Sequence, residues 1–249
     1  MNPQFYNEYY HLEREGWWFR ARLNILESMV KIIAKDKPLT ILNVGAATGA
    51  TSEMLSKYGK VTSLEYDAYC CRFLKEKTGI EAVNASLTDL PFEDESFELV
   101  CAFDVIEHIE DDQKAVDEIY RVLAREGKYF VTVPAFMFLW SKHDEINHHY
   151  RRYKKRDFNQ LFFHSGLTID RSTYFNFLLF LPIATIRLML KILPKRKSKD
   201  STGSDNEILK SSWLANHLAY TIFHSEKKLI TRNITFPFGV SILSIGTKK

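Results

Sequence analysis

The sequence predicts an α/β fold: a seven-stranded, mostly parallel sheet with helices on both faces, an N-terminal helical lid and a C-terminal helical insertion. Three observations carry that prediction. Short apolar runs recur at residues 40–44, 60–65, 80–84, 97–103 and 127–133, each of a length suited to a buried strand. Helix-compatible stretches separate them, notably 51–57, 68–77 and 111–124. Strands alternating with helices join through right-handed crossovers, which makes the sheet parallel and covers both faces. Finally, the first run ends in a glycine-bearing turn, Gly45-Ala46-Ala47-Thr48-Gly49, and the second ends in a carboxylate, Glu65.

The remaining elements follow in chain order. Residues 5–36 read as helical, with Trp17, Trp18, Leu23, Ile25, Leu26, Met29, Ile32 and Ile33 as apolar positions and Pro38 closing the segment. After Pro134 the rhythm changes, and residues 135–156 hold a dense cluster of aromatic, His and Arg side chains. A short helix is expected at 157–164, ended by Gly166, and a strand at 167–175. Residues 177–193 are strongly apolar but interrupted by Pro182, Arg187 and Lys191, and 195–206 form a polar loop. A helix over 213–230 and a last, edge-like strand over 238–247 complete the reading. The organisation is therefore a helical cap (1–37), a core (38–175), an apolar helical insertion with a polar loop (176–232) and a final strand (233–249).

A chain of 249 residues can bury a substantial core, and its net charge of +3 gives no ground for a nucleic-acid partner. Aromatic residues reach 14%, enough to line an apolar cavity as well as fill the core. The three cysteines, Cys70, Cys71 and Cys101, show neither a disulfide framework nor a metal-ligand spacing. The first fifteen residues lack the basic and apolar regions of a secretory signal, so a cytoplasmic location is expected. The apolar stretch approaches the ~20 residues of a membrane span, yet its proline and basic residues argue against a straight one. With Lys195-Arg196-Lys197 behind it, peripheral membrane contact through 176–200 is one expectation; a buried cap or a homodimer interface is the other.

A glycine turn lets backbone approach a ligand, and a carboxylate at the end of the next strand accepts hydrogen bonds from ribose hydroxyls. Dinucleotide sites place glycine at the second position of G-x-G-x-x-G, where this chain has Ala47, and at the last, where it has Ala50. The added methyl groups disfavour a diphosphate but admit a ligand presenting an amino-acid chain. That points to S-adenosylmethionine rather than a nicotinamide cofactor.

Five motifs in order carry a family resemblance: Leu42-Asn43-Val44-Gly45-Ala46-Ala47-Thr48-Gly49, Glu65, Asp89-Leu90-Pro91-Phe92 with Ser96-Phe97-Glu98-Leu99-Val100, Asp104-Val105-Ile106-Glu107-His108, and Arg121-Val122-Leu123 with Gly127-Lys128. The chain resembles the class I S-adenosylmethionine-dependent methyltransferases, in the group that includes small-molecule quinone-ring methyltransferases, strongly over about residues 40–135. The resemblance implies a Rossmann-like sheet and S-adenosyl-L-methionine as methyl donor. It further implies that residues 45–49 wrap the methionyl part, with Asn43 at the start of the motif. Glu65 then takes the ribose, Tyr66 packs on the adenine, Ser86 and Leu87 read its edge, and Asp104 and Val105 close the floor. Three departures stand out: Asn43 where the family has Asp, Ala47 where it has Gly, and Ser86 where it has an acid.

Methyl transfer needs alignment of nucleophile and sulfonium, and a hydroxyl nucleophile gains from a base. His108, after the fourth strand, is the first candidate base, against a structural histidine. Residues 140–153 supply a second group of candidates, and relatives carry a similar Trp…His-Asp…His…Arg-Arg-Tyr run. His143, Asp144 and His148 form a base with its orienting carboxylate, while Trp140, Tyr150, Arg151 and Arg152 contact substrate, the two arginines clamping an anionic group. The competing reading is a solvated basic loop. The spacing matches no standard metal motif, so no metal is expected. Trp17 and Trp18 are expected in a lid over the site, or in a helix against the sheet. The expected activity is methyl transfer to a small or lipid-linked acceptor at oxygen; an N- or C-methyltransferase and a non-catalytic binding module are the alternatives.

Overall fold

The computed structural model describes residues 3–192 and 212–249. The chain opens with two helices, α1 (Pro3–Glu15) and α2 (Trp17–Ala34), where the sequence predicts one. The break falls at Gly16, whose backbone is extended and at which a Cβ would lie 2.6 Å from the Leu12 carbonyl oxygen. Helix α2 buries Ala21, Ile25, Leu26, Met29 and Val30, a helical stripe packed on the sheet.

The core then alternates as its periodicity predicts: β1 (Leu39–Val44), α3 (Ala50–Leu55), β2 (Gly59–Glu65), α4 (Ala68–Thr78), β3 (Ala82–Asn84), β4 (Phe97–Phe103), α5 (Asp112–Val122) and β5 (Leu123–Pro134). There follow α6 (Lys142–Ile146), α7 (Lys155–His164), β6 (Thr168–Phe175), α8 (Phe180–Ile192), α9 (Trp213–Thr231) and β7 (Ser241–Thr247). The sheet order is β3-β2-β1-β4-β5-β7-β6. Strands β1 to β5 pair in parallel, and β7 runs antiparallel to both β5 and β6. From β1 the chain moves outward to β2 and β3, then returns to place β4 on the other side. That reversal opens a crevice at the carboxyl ends of β1 and β4, where ligands of open α/β sheets sit.

One expectation about the sheet is corrected. Strand β7 is not an edge: all seven of its residues are buried between β5 and β6, and the edges are β3 and β6. The alternation of Ile242, Leu243 and Ile245 with Ser244 and Gly246 resembles a half-exposed strand. The small residues instead answer crowding from both sides. A Cβ at Gly246 would meet the Thr168 carbonyl oxygen at 1.8 Å and Tyr129 Cε1 at 2.5 Å.

The insertion rejoins the core through α9. Phe223 is fully buried and stacks near Trp18 and Phe175, with ring centroids 6.4 and 6.1 Å away. Glu226 is buried one turn further on and accepts a 2.9 Å bond from the Leu178 amide. Among the described residues no helix is long and apolar enough to cross a membrane. The expected polar loop at 195–206 and the basic Lys195-Arg196-Lys197 lie outside the described residues.

Candidate active site

A cavity of about 1320 Å³ opens at the switch point. Its first end is made by the turn after β1. Gly45 (φ +69°) and Gly49 (φ +97°) take left-handed backbone conformations that glycine adopts without penalty. A Cβ on Gly45 would lie 2.5 Å from Val105 Cγ2. The Gly45 and Ala46 amides donate to the Leu64 carbonyl at 2.9 and 3.0 Å, locking the turn to β2. Glu65 then holds the turn open: one carboxylate oxygen accepts from the Ala47 amide at 3.0 Å, the other from Tyr66 and Asp67 amides at 2.9 and 3.1 Å.

Most expected cofactor residues stand in the cavity wall: Gly45, Ala47, Glu65, Tyr66, Ser86, Leu87, Asp104 and Val105. Tyr66 is 77% exposed at the rim, a ring face open to a planar ligand. Ala46, Thr48 and Gly49 shape the turn from outside the wall. Asn43 is a correction, because its side chain is buried behind the turn. Its amide nitrogen donates to the Thr51 and Ser52 hydroxyls at 2.9 and 2.8 Å, so its N–H groups are taken by α3, while Oδ1 has no hydrogen-bond partner among the described residues. The wall as a whole fits a nucleoside with an amino-acid chain, offering close-approach backbone at one point and a fixed carboxylate at another.

The lid comes from α1 more than from the tryptophans. Tyr6, Tyr9 and Glu13 of α1 and Trp18, Phe19 and Arg22 of α2 line the cavity, whereas Trp17 packs against the core and is absent from the wall. The Thr48 hydroxyl donates to the Glu13 carboxylate, which burial pushes up to about 7. Arg14 ties the same helix down through the Thr48 carbonyl (3.2 Å) and Glu53 (2.6 Å). Arg22 reaches from α2 to Asp104 at 2.8 Å and donates to the Thr132 hydroxyl at 2.9 Å. The sequence places a lid at the segment that holds Trp18, Phe19 and Arg22, and these three line the cavity; Tyr6, Tyr9, Glu13 and Arg14 were missed. Arg22 carried a further signal, a charge on the stripe that also holds Ile25, Leu26 and Met29.

The second end is built from side chains. A 3-10 turn, Ile106–His108, follows β4 and brings Glu107 and His108 to the wall. Neither Glu107 carboxylate oxygen has a hydrogen-bond partner, and burial with the neighbouring Asp104 pushes its pKa well up. His108 opens its ring to the cavity but is crowded by protein on its other sides. That desolvation, together with His149, lowers it to about 4. The His108 and His149 rings meet edge to face at 4.5 Å.

Asp144 is fully buried and turned from the wall, and its partner is not the expected one. It bonds His149 Nδ1 at 2.8 Å, while His143 and His148 line the cavity without it. The reason is local: α6 ends at Ile146 and His148 takes a positive φ of 57°, turning the chain so that the His149 amide donates to the Asp144 carbonyl at 2.9 Å. The expected arginine clamp is also corrected. Arg151 lies outside the wall and pairs with Asp112 at 2.7 Å; Arg152 reaches the wall but its guanidinium bonds Asp144 at 2.8 Å. Burial opposes the charge on Asp144, but the bonds from His149 and Arg152 outweigh it and hold the carboxyl well below its usual range. Tyr150 lines the rim and Trp140 does not. Glu107, His108 and His149 place ligand-type atoms within 4.8 Å of one another, a grouping invisible in the sequence because His149 lies forty-one positions after His108.

Fold and cavity together give an α/β protein whose switch-point cavity joins a backbone turn to a polar pocket. Residues 42–131 match the family described as a methyltransferase domain, and the chain is similar to S-adenosylmethionine-dependent methyltransferases, whose cosubstrate is S-adenosyl-L-methionine. A protein of Mycobacterium tuberculosis named as a probable S-adenosylmethionine-dependent methyltransferase is 28% identical over 126 residues, 49% of this chain and 44% of that one. The chain thus matches less than half the length of that relative. An S-adenosylmethionine-dependent methyltransferase of Thermotoga maritima shares the fold with a TM-score of 0.59 at 17% identity, covering 99% of this chain and 97% of that one. YcgJ of Bacillus subtilis does so at 0.57 and 15%, covering 90% and 99%.

Proposed function

We propose that this chain moves the methyl group of S-adenosyl-L-methionine to an oxygen of a small or lipid-linked acceptor. The observation that carries the reading is the two-ended cavity, a backbone turn with Glu65 at one end and a histidine–carboxylate cluster at the other. When bound, S-adenosyl-L-methionine supplies a methyl group on a sulfonium. Gly45 and Ala47 receive the methionyl part, Glu65 the ribose hydroxyls, Tyr66 the adenine face, and Ser86 with Leu87 the adenine edge. Asp104 and Val105 form the floor between the two ends, and α1 shields it from water. Holding the reactants in line contributes roughly 7–11 kcal/mol in well-oriented pairs, so positioning carries much of the rate.

Support for a lipid-linked acceptor comes from α8. Arg187 and Lys191 bind this helix to the Leu139 and Phe138 carbonyls at 2.9 and 2.8 Å, and Arg187 lines the cavity. On its outer side Leu181, Leu188 and Met189 are exposed, an apolar strip beside the site that suits peripheral membrane contact. The test has two stages. Calorimetry with S-adenosylhomocysteine is expected to give a one-to-one complex, and a donor carrying a labelled methyl group is expected to label a metabolite or lipid extract. Binding without transfer would make the chain a cofactor-binding module; label recovered on nitrogen or carbon would reassign the acceptor atom.

A further inference from the structure

We infer that His149, oriented by Asp144, is the base that takes the proton of the acceptor hydroxyl. The inference rests on the methyltransferase reading and goes beyond it by naming the proton's destination. An ionised carboxylate only accepts hydrogen bonds, so the 2.8 Å contact between Asp144 and His149 Nδ1 puts the imidazole hydrogen on Nδ1. Nε2 is then the lone-pair nitrogen, on a ring that lines the cavity. Asp144 itself is fixed three ways: the Ser141 amide donates to one oxygen at 2.8 Å, while Arg152 Nε and His149 share the other. A base whose far nitrogen is held by a buried carboxylate has its tautomer and direction set before substrate arrives.

The surroundings of His149 separate it from its neighbours. Facing it are Asp144 and Arg152 behind, Glu107 and His108 across the 3-10 turn, and His143 with its ring centroid 6.3 Å away. His108 meets the His149 ring edge to face at 4.5 Å, and it is His149 that has the Asp144 carboxylate at hydrogen-bond distance. A proton arriving on His149 instead makes an imidazolium against a carboxylate. In the step, the acceptor O–H bond breaks and its proton passes to Nε2. The freed electron pair forms the O–CH3 bond while the C–S bond breaks, and sulfur keeps that pair. Asp144 is a positioning residue in this scheme.

The experiment uses the full chain bound to S-adenosylhomocysteine, with nitrogen-15-labelled histidine observed by NMR, and label transfer into the extract described above. Expected results are an Nδ1–H tautomer for His149 at neutral pH that is lost in Asp144→Asn. His149→Gln should transfer about 10²–10⁴-fold more slowly, with S-adenosylhomocysteine affinity unchanged and the rate partly restored by added imidazole. His108→Asn should cost less, and Asp144→Asn should shift the pH profile of transfer. An Nε2–H tautomer, a normal rate in His149→Gln, or no rescue by imidazole would overturn the inference. So would loss of transfer with EDTA and recovery with a divalent ion, which would make Glu107, His108 and His149 a metal site. Absence of S-adenosylhomocysteine binding by the unaltered chain would instead sink the underlying reading of function.

Discussion

The two ends of the cavity are made of different material. The turn end is main chain: two left-handed glycines, amides pinned to Leu64, and one carboxylate whose bonds are all to backbone. The histidine end is side chain: the buried Asp144–Arg152 ion pair with His149 bonded to the same carboxylate, and Glu107 and His108 beside it. The first end is set by local geometry and tolerates little added volume. The second depends on mutual neutralisation, so it tolerates little change in charge.

That contrast can be broken by experiment, and the largest expected effect is at the turn. Gly45→Val puts a β-branched residue at φ +69° and a Cβ 2.5 Å from Val105, and should abolish detectable S-adenosylhomocysteine binding by calorimetry. A variant that still binds would show the turn to be more pliable than the contrast allows. At the other end, Arg152→Ala leaves Asp144 buried with less compensation and should destabilise the fold by about 3–5 kcal/mol in urea denaturation. A loss within experimental error would mean that the hydrogen bonds from His149 and Ser141 hold the buried Asp144 unaided.

The smallest effect concerns Glu13, whose buried side chain meets the turn at Thr48. Its carboxyl is raised from 4.5 to about 7, so the folded state holds a proton that the unfolded chain releases. That contribution is full below the ordinary glutamate pKa and is lost as pH rises through about 7. Unaltered protein should therefore lose up to about 3 kcal/mol relative to Glu13→Gln between pH 4.5 and 7.5, measured by chemical denaturation at each pH. Parallel pH curves for the two proteins would remove Glu13 from the account.

The same contrast explains what the sequence disclosed. A glycine turn and a strand-end carboxylate are local features, so Gly45 and Glu65 could be placed from neighbours in the chain, as could the order of β1 to β5. The histidine end joins residues across forty-five positions, from Glu107 to Arg152, and no periodicity records that. Asp144 was read with His143 and His148 because nothing in a run of histidines announces a positive φ at His148. Arg151 and Arg152 looked free for a substrate, since their partners Asp112 and Asp144 are recognisable only once α5 and α6 are in place. The interior position of β7 was hidden for another reason. Its small residues are a response to crowding, yet in one dimension they look like exposure.

The interior place of β7 also bears on how the protein is made. Strand β6 reaches β5 only through β7, which emerges from the ribosome after every other strand. Until residues 241–247 are synthesised, β5 has an unfilled flank and β6 no hydrogen-bonding neighbour in the sheet. Between the completion of β6 at residue 175 and the start of β7 at 241 the nascent chain therefore carries two open strand borders, a period when chaperone capture would protect it from pairing with other chains.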